Sequence, residues 1–240
     1  MQSSRATTLA DAIFPRFGSD ERALALARDF ALMVGFAALV ALVAQIQVRL
    51  PWTTVPITGS TFGVLVAGGA LGAWRGAGAM VLYMVAGMFL LPVFTPPGSS
   101  TSGTWDLHFI LPWRGNEALI WKISSGGYIV GYILAAALVG FLAERRWDRG
   151  PWVQVSMLMG SVALYVPGLL WLGYLIGTDW LPSGGSTPIS ELISGSDTLD
   201  KTLKGGLYPF IVGDLMKLML AAMVLPSAWL LTDRLGRRGR

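Results

Sequence analysis

The sequence predicts an all-α integral membrane protein: six transmembrane helices in one bundle, with both termini cytoplasmic. Three observations carry this. Of the 240 residues, 53% are hydrophobic and only 13% charged, with a mean hydropathy of +0.58. That is more apolar surface than a water-soluble domain of this length can bury. Six apolar stretches approach the ~20 residues that a helix needs to cross the hydrocarbon core. The basic residues, finally, gather on alternate connections between those stretches.

The elements follow in order. Residues 1–30 hold a polar tail, without the apolar core of a cleavable secretory signal, and the start of the first helix. The membrane domain runs over 31–232. Its spans are expected at about 31–50, 59–74, 76–94, 127–142, 153–176 and 207–231, the second and third joined by a tight turn at Arg75-Gly76. The second and fourth spans are short, which suits a tilted or thin packing. Residues 233–240 form a basic C-terminal tail.

With the N-terminus inside, the inner segments hold twelve basic residues: Arg5, Arg16, Arg22, Arg28, Arg75, Arg145, Arg146, Arg149, Arg234, Arg237, Arg238 and Arg240. The outer segments hold five, Arg49, Arg114, Lys122, Lys201 and Lys204. This is the positive-inside pattern for an even number of spans. The isoelectric point near 9.6 therefore reports topology, and no nucleic-acid partner is expected. The chain has no cysteine, hence no disulfide, thiolate nucleophile or thiolate metal site, and no metal or cofactor is expected. Its one histidine, His108, falls in a predicted loop and is expected to be solvated. Two long connections, 95–126 and 177–206, lie on the outer side, where connections of such length are commonly lids, binding loops or disordered linkers.

One pair of residues breaks the apolar pattern. Asp214 and Lys217 stand one turn apart inside the sixth stretch, as Gly213-Asp214-Leu215-Met216-Lys217. Each costs about 2.5–3.5 kcal/mol at the centre of a membrane helix on insertion scales. If the helix begins near Leu207, Asp214 lies about 10 Å into it and Lys217 about 15 Å. Two readings fit: the residues neutralise each other or serve a helix N-terminus, or they line a polar ligand site open to the outside together with Phe210 and Ala221.

Val55-Pro56-Ile57-Thr58-Gly59-Ser60-Thr61 is the second informative segment. Pro51 and Pro56 keep the chain extended after the first span, and the hydroxyls of Thr58, Ser60 and Thr61 suit either helix capping or ligand hydrogen bonds. Gly126-Gly127-Tyr128 with Gly131-Tyr132 sets small residues and two aromatics at a helix entrance, fitting close helix packing, interfacial anchoring or a ligand wall.

These segments, with Leu91-Pro92-Val93-Phe94, resemble in order and spacing the BioY family, the biotin-binding S components of energy-coupling factor (ECF) transporters. The resemblance spans about residues 30–232. It implies high-affinity capture and uptake of biotin across the bacterial cytoplasmic membrane, without catalysis by this chain. The expected partners are the lipid bilayer, a membrane coupling subunit and a pair of ABC ATPases. The chain contains no Gly-x-x-x-x-Gly-Lys-Ser/Thr loop, in keeping with ATP hydrolysis by partners.

The resemblance also assigns roles. Asp214 accepts from a ureido N–H of biotin, and Lys217 donates to the ureido oxygen or the carboxylate. Thr58, Ser60 and Thr61 add hydrogen bonds, while Tyr128, Tyr132 and Trp171 wall the rings and Gly127 belongs to the same site. Ala27, Ala31, Ala37 and Ala41, as i, i+4 pairs on the first span, dock on the coupling subunit. The chain departs from the family pattern at Ser60, where glutamine is frequent, and at Val212, where proline is frequent. The competing readings are an S component for another vitamin and a self-sufficient secondary transporter using Asp214 as an ion site. Against the second stand the small size and the lack of an internal inverted repeat.

Overall fold

The short apolar stretch after Gly59 becomes the centre of the bundle. In the computed structural model, which describes residues 7–14, 21–96, 105–182 and 186–238, it forms helix α3 (Ser60–Leu71), buried at every residue except Phe62. Around it pack α2 (Arg22–Ala44), α4 (Ala73–Phe89), α5 (Gly126–Glu144), α6 (Val153–Gly177) and α9 (Ile211–Arg238). Close approach requires a glycine where α5 crosses α6: a Cβ on Gly131 would stand 2.4 Å from the Leu164 carbonyl oxygen.

Among the described residues, four helices are long and apolar enough to cross a membrane: α2, α5, α6 and the 211–234 part of α9. Helices α3 and α4 are shorter, at 12 and 17 residues, or about 18 and 25 Å. A short α3 is tolerable because it meets protein on nearly all sides, and the irregular segment before it is buried too, at Thr53, Thr54 and Val55.

Several boundaries differ from the expected ones. The first long helix starts at Arg22, earlier than expected, because Arg28 and Asp29 neutralise each other at 2.7 Å. It stops at Ala44, where buried Gln45 turns its side chain to carbonyls of Ala41 and Val93. The turn between the second and third expected spans falls at Gly72 instead of Arg75-Gly76. There φ is +86°, and the carboxylate of Glu144 accepts from the Ala73 N–H at 2.8 Å, capping α4. The basic C-terminal stretch continues α9 as far as Arg238.

Beyond the end of α2 a small antiparallel sheet forms, in the order β2-β1-β3, from β1 (Gln47–Arg49), β2 (Ile57–Thr58) and β3 (Asp106–His108). This corrects the all-helical expectation and the reading of His108, which is buried and pairs in register with buried Gln47. The second long connection carries α7 (Ile189–Leu192) and α8 (Thr198–Gly206), the latter capped by Asp197 and packed on α6.

The opposite end of the bundle is closed by charge. Arg75, expected as a topology marker in a turn, is only 5% exposed. Its Nε donates to the Leu71 carbonyl, its Nη1 to Asp11 and Asp29, and its Nη2 to Thr8 and Asp11, all at 2.9–3.1 Å. The network ties helix α1 (Leu9–Ile13), within the expected tail, to the start of α2 and the α3–α4 turn. Nearby connections are pinned similarly: Asp148, fully buried, accepts from the Trp229 indole and from Arg149.

Candidate functional site

Three helices begin around one cavity. Residues from the first turns of α3 (Ser60, Thr61), α5 (Tyr128, Ile129) and α9 (Asp214) line it, with Leu164 and Tyr165 from the middle of α6, Tyr83 from α4, and Phe94 just beyond α4. The cavity measures about 560 Å³ including its open mouth. Helix N-termini carry partial positive charge, so their convergence favours the one carboxylate among the described lining residues, Asp214.

Asp214 is 7% exposed and has both oxygens engaged. Lys217 Nζ donates to Oδ1 at 2.6 Å, and the Tyr165 hydroxyl donates to Oδ2 at 2.5 Å. The helix starts at Ile211 rather than near Leu207, so Asp214 sits in the first turn of α9, shallower than expected. That places the pair where the helix dipole and two hydrogen bonds offset part of the cost of burying ions. Its two expected readings, mutual neutralisation and a polar site, coexist in one geometry. Phe210 lines the cavity as expected, whereas Ala221 packs below it with Leu65 and Leu225.

Thr58, Ser60 and Thr61 all reach the cavity. The Thr58 hydroxyl donates to Ser60 Oγ at 3.0 Å and accepts from the Ser60 N–H at 3.3 Å, while the N-cap position of α3 is Gly59, without a side-chain cap. Tyr132 lines the cavity beside them. Tyr83 stands between Phe94 and Tyr132, with ring centroids 5.4 and 6.2 Å away. Tyr128 meets Tyr165 edge to face at 6.0 Å, and its hydroxyl is committed to the Gly206 carbonyl at 2.8 Å.

Two expected site residues lie elsewhere. A Cβ on Gly127 would stand 2.3 Å from the Trp171 Cβ, so this glycine serves close packing of α5 on α6. Trp171 turns away from the cavity to stack on Tyr174 and donates its indole N–H to the Ile123 carbonyl at 3.0 Å. The alanines of α2 divide likewise. Ala27 and Ala31 are exposed, whereas Ala37 and Ala41 pack towards the core, because a six-residue step between the pairs turns them to different faces.

Sequence reasoning missed Tyr165, Tyr83 and Phe94. A signal for the tyrosines existed: a phenol inside an apolar span needs a hydrogen-bond partner there, which marks it as facing the bundle interior.

Comparison with known proteins matches this architecture. The BioY family model matches residues 14–107 and 113–234. A biotin transporter BioY of Rhizobium etli is 29% identical over 198 residues, covering 82% of this chain and 90% of that protein. One from Thermotoga maritima is 27% identical over 189 residues, covering 79% and 88%. Among solved structures, the fold is similar to the S-component for biotin from an ECF-type ABC transporter, with a TM-score of 0.62, 18% identity, and 88% and 94% of the two chains covered. With the family model matched on both sides of a five-residue gap, through every cavity-lining segment, the chain belongs to the BioY family.

Proposed function

We propose that this chain captures biotin and serves as the substrate-specific subunit of an ECF-type transporter. The observation that carries the reading is the paired Asp214–Lys217 at one end of an aromatic-walled cavity, in a chain whose relatives are biotin transporters. Biotin joins a neutral cyclic urea, with two N–H donors and one carbonyl, to an apolar thiophane ring and a valerate chain. The ion pair is neutral as a unit and offers complementary edges. Asp214 keeps lone pairs beyond those given to Lys217 and Tyr165, and Lys217 keeps two N–H donors beyond the one given to Asp214. The urea docks there, Thr58, Ser60, Thr61 and Tyr132 add hydroxyls, and Tyr83, Phe94 and Tyr128 enclose the thiophane ring.

The membrane arrangement we propose has six spans, with α3 and α4 completing the four longer helices, and both termini in the cytoplasm of a bacterial cell. The twelve-to-five bias of basic residues supports it. The cavity then opens outward, beneath the sheet and the connection that carries α7 and α8. Uptake proceeds with a membrane coupling subunit and an ABC ATPase pair, and the exposed Ala27–Ala31 edge of α2 is the part of the alanine pattern open to such a partner.

The test is equilibrium binding of labelled biotin to the purified protein, with other vitamins as competitors. Saturable binding is expected, weakened at least tenfold by Asp214→Asn and by Lys217→Ala. Displacement by a different vitamin at lower concentration than unlabelled biotin would reassign the substrate. Uptake that follows an ion gradient without ATPase partners would establish the secondary-carrier reading instead.

A further inference from the structure

Among the described cavity residues, Tyr165 is the one that directs its hydroxyl at the Asp214 carboxylate. The 2.5 Å contact to Oδ2 and the 2.6 Å contact from Lys217 to Oδ1 hold the carboxylate from two sides. The phenol ring is itself held, edge to face against Tyr128, whose hydroxyl is tied to the Gly206 carbonyl. Asp214 therefore has little freedom to rotate. An ionised carboxylate offers about four lone-pair positions, and each oxygen keeps one after these two bonds.

We infer that Tyr165 is a positioning and specificity-determining residue: it holds the Asp214 carboxylate open towards the cavity as an acceptor for a ligand N–H. Without the phenol, the carboxylate is free to rotate towards Lys217, and the lone pairs it keeps are no longer held in one orientation towards the cavity. The phenol oxygen also retains acceptor capacity beside Oδ2, so a cyclic urea meets two adjacent acceptors and one ammonium donor. The inference rests on the biotin reading of the site.

The experiment is a double-mutant cycle in purified protein with labelled biotin as probe: wild type, Tyr165→Phe, Asp214→Asn and the double variant. Phenylalanine keeps the ring and its contact with Tyr128. We expect Tyr165→Phe to weaken biotin binding roughly 10- to 100-fold, the range for losing a hydrogen bond to a charged group. In the Asp214→Asn background the same change is expected to matter several-fold less, since the amide presents a single, uncharged acceptor oxygen. A biotin analogue blocked at the urea nitrogens is expected to bind wild type and Tyr165→Phe alike. Should Tyr165→Phe fail to fold, the cycle is run with Tyr165→Leu, which also removes the donor and for which the same fold-changes are expected. Full additivity, or Tyr165→Phe affinity within twofold of wild type, overturns the inference and leaves the biotin reading intact. Absence of saturable biotin binding by the wild type overturns both.

Discussion

Replacing Arg75 by methionine tests whether the buried charge network holds the end of the bundle away from the cavity. Arg75 uses all five guanidinium N–H groups, four of them on side chains of Thr8, Asp11 and Asp29. Removing one partner of a buried ion pair typically costs about 3–5 kcal/mol, because the remaining charge is stranded. Here Arg28 stays beside both carboxylates, at 3.4 Å from Asp11 and 2.7 Å from Asp29, so the loss belongs near the lower limit, about 3 kcal/mol. For a chain of this size that corresponds to a melting temperature lower by roughly 6–12 °C. Arg75→Lys keeps the charge but loses the planar fork, and is expected to lose about half as much. The assay is thermal unfolding in detergent, with biotin affinity measured alongside. Affinity should hold within about threefold, because Arg75 lies about 12 Å along α4 from Tyr83, the cavity residue of that helix. Melting of Arg75→Met within about 2 °C of wild type would refute the reasoning, and so would equal losses from both substitutions.

Other outcomes are equally specific. Trp171→Phe removes an indole bond to Ile123 but no cavity wall, so biotin affinity should stay within about threefold while stability falls by about 1 kcal/mol in the same melting assay. Gly127→Ala forces a methyl to 2.3 Å from the Trp171 Cβ and should destabilise by about 1–3 kcal/mol, read as lower thermal stability. Asp200 in α8 is held below its ordinary aspartate range by the hydrogen bond from Lys204 and then by the Ser196 N–H. Its carboxylate thus supports the 196–204 turn above the unfolded value of ~3.9, and that support fades as pH falls through the lower folded value. Protection from hydrogen exchange over 196–204, taken relative to the intrinsic rate at each pH, should fall below about pH 4 in wild type, and Asp200→Asn should show the lower protection at neutral pH as well.

Much of the site was legible because membrane chemistry penalises polarity so heavily. Asp214 and Lys217 stand out in an apolar stretch, and Thr58, Ser60 and Thr61 stand out beside two prolines; all five meet at one cavity. Gly127 and Trp171 were misjudged because a motif position does not report which way a helix face turns, and here both belong to the α5–α6 seam. His108 was misjudged because short strands leave little periodic signal, and a loop histidine with an unforeseen pairing partner becomes a buried one.

The sequence by itself determined the solvent this chain folds in, the apolar segments that cross it, and the chemical character of the cavity. Composition and side-chain transfer energies depend only on residue type, and they are large in a bilayer. Only the tertiary structure decided that Tyr165 holds Asp214, that Tyr128 is committed to Gly206, and that Arg75 is clamped between Asp11 and Asp29. Those pairs lie 49, 78, 64 and 46 residues apart in the chain. No local periodicity encodes such contacts. They are set by the crossing of helices, which the packing of small residues at the seams decides.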